Sequence, residues 1–100
     1  MTLQITKATS QHGRYFKKDV LENGAAYVVS DQNSVVGMFS FTFENNTAKM
    51  DFPYCINKQA IELAFNAFLN DYRDIIEVKC VSRQKLDFLG FKNQVYTKWE

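Results

Sequence analysis

The sequence predicts an α/β fold, a mixed sheet flanked by helices, in a single domain that covers residues 1–100. Two changes of pattern predict it. Over residues 25–56 apolar and polar side chains alternate, as in β-strands, whereas over residues 57–72 apolar residues recur at intervals of three and one, as on one face of an α-helix. A second strand-like run follows at residues 75–81, and this succession is typical of a βαβ unit with parallel strands.

The composition excludes several classes of protein. Hydrophobic residues make up 46% of the chain and charged residues 23%, which is usual for a globular domain and not for a disordered one. The net charge is only +1 and the basic residues are scattered, so we expect no nucleic-acid partner. No apolar run approaches the ~20 residues that span a bilayer, and the first residues lack a signal-peptide pattern. We therefore expect a cytoplasmic protein with no membrane partner.

The N-terminal quarter predicts a strand and a short helix. Leu3 and Ile5 alternate with polar residues, which indicates a strand that ends near Lys7. The apolar spacing over residues 10–23 is that of a short helix. We expect Gly24 to end this helix, because glycine accepts the left-handed conformation that closes many helices.

The alternating region predicts an antiparallel meander. Strands are expected at residues 25–30, 35–43 and 48–56, joined by four-residue turns. Strict alternation predicts which side chains share a face. In the second strand one face carries Val35, Gly37, Phe39, Phe41 and Phe43, and the other carries Val36, Met38, Ser40 and Thr42. In the third strand one face carries Ala48, Met50, Phe52, Tyr54 and Ile56.

The second half of the chain begins with the main helix, for which Asn57 is a suitable N-cap. After the strand at 75–81, residues 83–89 predict a short helix that Gly90 ends, and residues 94–99 predict a final strand. The chain has 15 aromatic residues, which we interpret mainly as core. The phenylalanines predicted to point inward are Phe39, Phe41, Phe43, Phe52, Phe65, Phe68, Phe88 and Phe91.

Two segments within this order of elements resemble the GNAT superfamily of acyl-CoA-dependent N-acyltransferases. Residues 87–92, DFLGFK, are similar to the Leu-Gly-Phe signature that ends the last helix of that family, and residues 34–38, SVVGM, are similar to the turn into its third strand. The resemblance implies a GNAT-like fold, an antiparallel meander followed by a β-α-β unit, a short helix and a C-terminal strand. It also implies transfer of an acyl group from acetyl-CoA or another acyl-CoA to an amine.

The resemblance places the cofactor site at the start of the main helix, where family members carry a glycine-containing loop that binds the CoA pyrophosphate. The residues at this position are Ile56, Asn57, Lys58 and Gln59. Residues 55–61, CINKQAI, contain no glycine, so the loop is degenerate and its backbone approaches a phosphate less closely. Lys58 beside a helix N-terminus still suits an anion, whereas a solvated first turn is the alternative.

The resemblance assigns Tyr54 and Cys55 to the cleft as catalytic residues. Tyr54 would donate a hydrogen bond near the reacting carbonyl, and Cys55 would be a nucleophile only with a lowered pKa. Core packing is the alternative for both. Leu86 stands where the family has a tyrosine that acts as an acid, and Leu86 cannot donate a proton. Asp51 is a candidate base for an amine substrate, and Pro53 indicates a bulge in its strand.

Two hypotheses about function follow from these residues. The first is a small acyl-CoA-dependent N-acyltransferase with a reduced cofactor site and an amine substrate. The alternative is a catalytically inactive GNAT-fold protein that binds a protein partner or forms a homodimer. We expect no metal, because Cys55, Cys80 and the single histidine, His12, lack the spacing of a metal site. The two cysteines are interpreted as small buried residues, with a disulfide as the alternative.

Overall fold

The computed structural model describes residues 3–9, 13, 15–32, 34–81 and 86–98. Within them the strands are β1 (Leu3–Lys7), β2 (Ala25–Asp31), β3 (Ser34–Glu44), β4 (Thr47–Cys55), β5 (Glu77–Cys80) and β6 (Val95–Thr97). The helices are α1 (Lys18–Asn23) and α2 (Lys58–Asp71), with a 3-10 helix at Asp87–Leu89. The strands form a six-stranded sheet in the order β1-β2-β3-β4-β5-β6. The predicted α/β class, with a mixed sheet, is confirmed.

The pairing directions follow the sequence pattern. β1 to β4 are antiparallel neighbours, β4 and β5 are parallel, and β6 returns antiparallel to β5. The meander is therefore confirmed, and so is the βαβ unit in which α2 connects β4 to β5. Asn45 has a positive φ of 57° in the tight turn between β3 and β4, a conformation that asparagine tolerates better than most residues. The predicted strands at residues 75–81 and 94–99 are shorter in the structure.

The main core lies between α2 and one face of the sheet. The apolar stripe of α2 is confirmed, and its fully buried residues are Ala60, Ile61, Ala64, Phe65 and Phe68. The ring of Phe68 stacks on Phe41 of β3, with centroids 3.9 Å apart and planes 3° from parallel. Burying a phenylalanine side chain contributes about 1.5–3 kcal/mol, so this layer is a large part of what stabilises the fold.

The 3-10 helix is shorter than the helix predicted at residues 83–89, of which residues 83–85 lie outside the described residues, and it also departs from the prediction at Phe88. Gly90 ends it in the left-handed region, with φ 94°, as expected from the sequence. Leu86 and Phe91, on either side of the helix, are buried in the core. The single turn between them cannot turn all its side chains inward, and Phe88 is 49% exposed. The prediction that Phe88 points inward is therefore wrong.

The left-handed conformation predicted for Gly24 is wrong. α1 begins at Lys18 and ends where predicted, but Gly24 has φ −111° and ψ −152°, an extended conformation. A Cβ at this position would lie 2.4 Å from the carbonyl oxygen of Phe41 and 3.0 Å from that of Val20. Glycine is needed here because two backbones approach each other closely. Residues 10–12 and 14, which the predicted helix included, lie outside the described residues.

A bulge at the start of β3 changes which side chains share a face. Val29 pairs with Gly37, but the next residue of β2, Ser30, pairs with Val35, so β3 carries one extra residue. Val36 is buried in the main core, whereas Val35 is 42% exposed. The predicted faces of Val35 and Val36 are therefore wrong, because an inserted residue interrupts the alternation.

Candidate functional site

The pairing of the two parallel strands ends partway along β4. Their pairing ends with Met50 opposite Cys80, and one further backbone hydrogen bond of 2.9 Å joins the Val81 N–H to the Met50 carbonyl. β4 then continues from Asp51 to Cys55, whereas β5 has ended. Within the described residues this last stretch of β4 has no pairing to β5, and we name the place where the pairing ends, lined by Pro53 and Val81, the β4–β5 wedge.

A second bulge lies in the same stretch of β4. Ser40 of β3 pairs with Asp51, and Met38, two residues away on β3, pairs with Tyr54, three residues away on β4. β4 therefore carries one extra residue in this step. Pro53 lies within this step. Proline has no N–H to donate to a ladder, so a bulge beside the wedge suits it. The bulge that Pro53 indicated in the sequence is therefore confirmed.

The bulge changes the face of the sheet on which the last side chains of β4 lie. Phe52 packs against the main core as predicted, but so does Cys55, three residues further on. Tyr54 is 40% exposed and lines a groove on the opposite face of the sheet, and Ile56 is 67% exposed. The prediction that Tyr54 and Ile56 share the face of Phe52 is wrong, because one extra residue exchanges the faces.

A cavity of about 390 Å³ lies between α1 and the sheet and extends to the wedge. Ser40 pairs with Asp51 and Thr42 with Lys49, so these four residues form a polar floor on one face of neighbouring strands. Tyr15, Phe16 and Val20 line the cavity from the α1 side, and Lys17 and Asp19 add charges there. Pro53 and Val81 line it at the wedge. The volume is within the range of small-molecule sites.

The N-terminus of α2 begins immediately after the bulged end of β4. The predicted cap is confirmed, because the Asn57 side-chain oxygen accepts a 2.8 Å hydrogen bond from the Gln59 N–H. The Ala60 N–H donates to the Asn57 carbonyl at 3.1 Å. Two donors of the first turn are thus already bonded within the chain. The helix dipole still makes this end electropositive.

Lys58 connects this helix end to the 3-10 helix. Its ammonium lies 5.8 Å from the centroid of the Phe88 ring, at the range of a cation–π contact. Phe88 is half exposed, so the pair forms a basic and aromatic surface beside the helix N-terminus. A cation and an exposed ring suit a ligand that carries both a phosphate and an aromatic base.

Cys55 is partly buried beneath the helix end. Its thiol donates a 3.2 Å hydrogen bond to the carbonyl of Asn57. Burial raises the pKa of the Cys55 thiol, while this hydrogen bond lowers it and is the smaller cause. A raised pKa favours the protonated thiol over the nucleophilic thiolate. Cys55 and Cys80, both within the described residues, are not joined by a disulfide.

A second groove, of about 370 Å³, lies next to the cavity on the same face of the sheet. It is lined by Tyr15, Val28, Val35, Met38 and Tyr54. Tyr15 lines both spaces, so it separates the polar cavity from this apolar groove. Tyr54 therefore lies near the wedge on the α1 side, and Cys55 lies on the α2 side.

Sequence reasoning missed the part of the cavity that the N-terminal region supplies. In the sequence Tyr15 and Phe16 belong to the apolar spacing that predicts a short helix over residues 10–23, and Lys17 is one of the scattered basic residues. These residues line the same cavity as Asp51, a long-range arrangement that no local pattern encodes. The floor could have been found, because a tight turn between the two strands places Ser40 beside Asp51. Leu86, at the position of the family tyrosine, is fully buried and does not line the cavity.

The fold matches solved acetyltransferases. An acetyltransferase of the GNAT family from Streptococcus pneumoniae TIGR4 gives a TM-score of 0.63 at 12% identity, over 91% of this chain and 88% of the other. PaiA N-acetyltransferase from Thermoplasma acidophilum, in complex with coenzyme A, gives 0.59 at 9% identity, over 97% and 99%. A GNAT family acetyltransferase from Elizabethkingia anophelis with acetyl-CoA bound gives 0.55 at 13% identity, over 88% and 71%. The chain therefore has the GNAT fold that its sequence resemblance implies.

Comparison of sequences adds no family to this result. No protein-family model matches the chain, and no curated protein matches it significantly. Among the described residues no group of three or more His, Cys, Asp or Glu side chains is placed to hold a metal ion. In the same part of the chain no helix is long and apolar enough to cross a membrane.

Proposed function

We propose that the chain is a small N-acyltransferase that uses an acyl-CoA and has a reduced cofactor site. The observation that carries the proposal is the β4–β5 wedge, which opens on one side to the 390 Å³ cavity and lies beside the N-terminus of α2. Two proteins of the same fold hold coenzyme A or acetyl-CoA. A thioester in the wedge would meet an amine that enters through the cavity.

The cofactor residues of this proposal are Ile56, Asn57, Lys58 and Gln59. The electropositive end of α2 and the Lys58 ammonium fit an anionic pyrophosphate. Phe88, 5.8 Å from that ammonium, offers an exposed ring to a base. The fit is incomplete, because glycine is absent and Asn57 occupies the Gln59 N–H. We therefore expect weaker binding than a glycine loop gives.

The proposed reaction is the transfer of an acyl group to an amine. When bound, acyl-CoA supplies a thioester whose acyl carbon bonds to the amine nitrogen while the carbon–sulfur bond breaks and the thiol leaves with one proton of the nitrogen. An ammonium must first lose another proton, and Asp51 lines the cavity at the mouth of the wedge. Asp51 would hold the ammonium and pass that proton to solvent. The products are an amide, the free thiol and one released proton.

Tyr54 and Cys55 have different roles in this proposal. Tyr54 is partly exposed on the α1 side of the bulge, and its hydroxyl would donate a hydrogen bond in the wedge. Cys55 would shape the opposite wall as a protonated thiol, because burial raises its pKa. Replacing Tyr54 by Phe should therefore lower the rate of acyl transfer more than replacing Cys55 by Ala does.

Thermal unfolding with increasing acetyl-CoA tests the proposal. A ligand at 100 times its Kd adds about 2.7 kcal/mol to the free energy of unfolding. Lys58→Gln should reduce this gain, whereas Lys18→Gln is a matched control, since Lys18 is an exposed lysine of α1 that lines no part of the cavity. An unchanged melting temperature at millimolar acetyl-CoA would overturn the proposal.

A second candidate function is self-association without catalysis. One observation favours it: the apolar groove exposes Tyr15, Val35 and Tyr54 next to each other on one face. Sedimentation at micromolar concentration measures the mass directly. A dimer that Tyr54→Asp converts to a monomer, together with no response to acetyl-CoA, would favour this candidate over the first.

A further inference from the structure

The floor of the 390 Å³ cavity is unusual for a sheet face that a helix partly covers. α1 buries Phe16 and Val20 in a small apolar cluster with Ala26 and Val28. On the next two strands the same side of the sheet presents two hydroxyls, at Ser40 and Thr42 of β3, and two opposite charges, at Lys49 and Asp51 of β4. A polar floor under apolar walls is typical of a site that orients a small polar ligand.

The charges on this floor are arranged in order along β4. Lys49 and Asp51 are two residues apart on one face, which separates their Cα atoms by about 7 Å. Asp51 is the first residue after the last rung of the β4–β5 pairing, so it is the charge nearest the wedge. Lys79 pairs with Lys49 in register on β5, so two lysines stand side by side one step away from the wedge.

The Lys49 ammonium is available to a ligand. It lies 3.9 Å from Oε2 of Glu44, and the two side chains are 52% and 73% exposed. An exposed pair of this length contributes little and exchanges readily with another anion. Lys17 and Asp19, on the α1 side of the same cavity, add one charge of each sign opposite the floor.

From this arrangement we infer that the cavity recognises its acceptor as a zwitterion, an amino acid or a similar compact molecule with one ammonium and one carboxylate. The ammonium lies against Asp51 beside the wedge, and the carboxylate lies against Lys49 and Lys17. The inference rests on the proposed function, since the wedge decides which end reacts. A diamine fits less well, because Lys49 and Lys17 repel its second ammonium and only Asp19, on the α1 side, is left to pair with it.

Binding of small molecules without any acyl-CoA tests this inference. The probes are 4-aminobutyrate, butylamine, which lacks the carboxylate, and putrescine, which carries a second ammonium instead. Amide chemical shifts of uniformly labelled protein give both the location and the affinity. We expect 4-aminobutyrate to perturb residues around Lys49 and Asp51 and to bind at least about tenfold more tightly than butylamine, as one hydrogen-bonded charge pair allows.

Variants assign the two ends of the ligand. Lys49→Gln should reduce the preference for 4-aminobutyrate over butylamine, with Lys17 left to hold the carboxylate, while Asp51→Asn should weaken the binding of both. Lys18→Gln, on the far side of α1, is the control and should change neither. Both test positions are exposed in the structure, so the melting temperature of each variant should stay near that of the parent chain.

Several outcomes would overturn the inference. They are equal binding of butylamine and 4-aminobutyrate to the parent chain, tighter binding of putrescine than of 4-aminobutyrate, or no amide shift with 4-aminobutyrate at about 10 mM. Such a failure with stabilisation by acetyl-CoA intact leaves the proposed acyl transfer standing with a different acceptor. Zwitterion binding without any response to acetyl-CoA would instead remove the acyl transfer and leave the binding site.

Discussion

The hydroxyl of Tyr27, on β2, donates a 2.7 Å hydrogen bond to Oδ2 of Asp71, the last residue of α2. Tyr27 is 2% exposed, and its ring meets Phe41 edge to face at 6.0 Å. Phe41 in turn stacks on Phe68 of the same helix. The hydrogen bond therefore fixes the C-terminal end of α2 on the sheet at the side opposite the candidate site.

We expect Tyr27→Phe to lower the free energy of unfolding by about 1–2 kcal/mol, because a hydrogen bond to a charged acceptor is lost while the ring still packs. Asp71→Asn keeps an acceptor at the same place, so its loss should be smaller. Urea denaturation of both variants measures the difference. Equal stability of Tyr27→Phe and the parent chain would show that the hydrogen bond does not stabilise the fold.

Stability should fall at alkaline pH. Burial first, and then the hydrogen bond to Asp71, raises the pKa of Tyr27 well above its ordinary value of about 10. Between about pH 10 and that raised pKa the unfolded chain has released the proton and the folded chain has not, so the free energy of unfolding decreases as pH rises. Below about pH 10 this contribution is fully present.

Two further groups act in the same direction. Burial raises the pKa of Cys55, and the hydrogen bond with Tyr72 raises that of Lys7, so both favour the folded state less at high pH. We expect Tyr27→Phe to show a flatter decline than the parent chain between pH 10 and 11, in urea denaturation repeated across pH. Cys55→Ala should flatten the decline in the free energy of unfolding at lower pH, where it begins at about pH 8.5. Parallel curves for all three chains would contradict this explanation.

Local sequence patterns predicted the helices and strands. The features that these patterns did not predict depend on long-range contacts. The meander, α2 and the Asn57 cap depend on periodicity and on one local hydrogen bond, and all three are confirmed. The faces of Val35 and Tyr54 depend on bulges, which pairing between strands creates. Alternation within one strand cannot reveal an extra residue, so both faces were wrong.

The candidate site shows the same division. The resemblance to the GNAT superfamily, and not any periodicity, assigned Tyr54 and Cys55 to the cleft and residues 56–59 to the cofactor site. The cavity was not predicted, because it needs Tyr15 and Lys17 to approach Asp51 from more than thirty residues away. The partnership of Gly24 with the Phe41 carbonyl is likewise a contact between distant backbones.

Gly24 offers a test of that close approach. A Cβ at Gly24 would lie 2.4 Å from the Phe41 carbonyl oxygen, and backbone must move to admit it. We expect Gly24→Ala to cost about 1–3 kcal/mol of stability. At Gly90 the nearest atom to a Cβ is 3.5 Å away, and only the positive φ opposes a side chain, so Gly90→Ala should cost about 1 kcal/mol. A harmless Gly24→Ala in thermal unfolding would contradict the packing described here.

Substitutions of Asn57 should change the stability of the fold and the binding of an anion at the start of α2 in different ways. Its side chain satisfies the Gln59 N–H, so it stabilises the helix and competes with an anion for the same donor. Asn57→Gly should cost only a few tenths of a kcal/mol and release the donor, so acetyl-CoA should bind more tightly to this variant. Asn57→Asp keeps the cap but adds a negative charge, so acetyl-CoA should bind more weakly than to the parent chain.

The order of acetyl-CoA affinity, measured by calorimetric titration, should therefore be Gly, then Asn, then Asp at position 57. The order of stability without ligand should differ, with Gly the least stable of the three. The two opposite trends are the control, because a variant that merely damaged the fold would lose both properties together. Equal affinity across the series would place the pyrophosphate away from the end of α2, and Lys58 would then have no part in holding it.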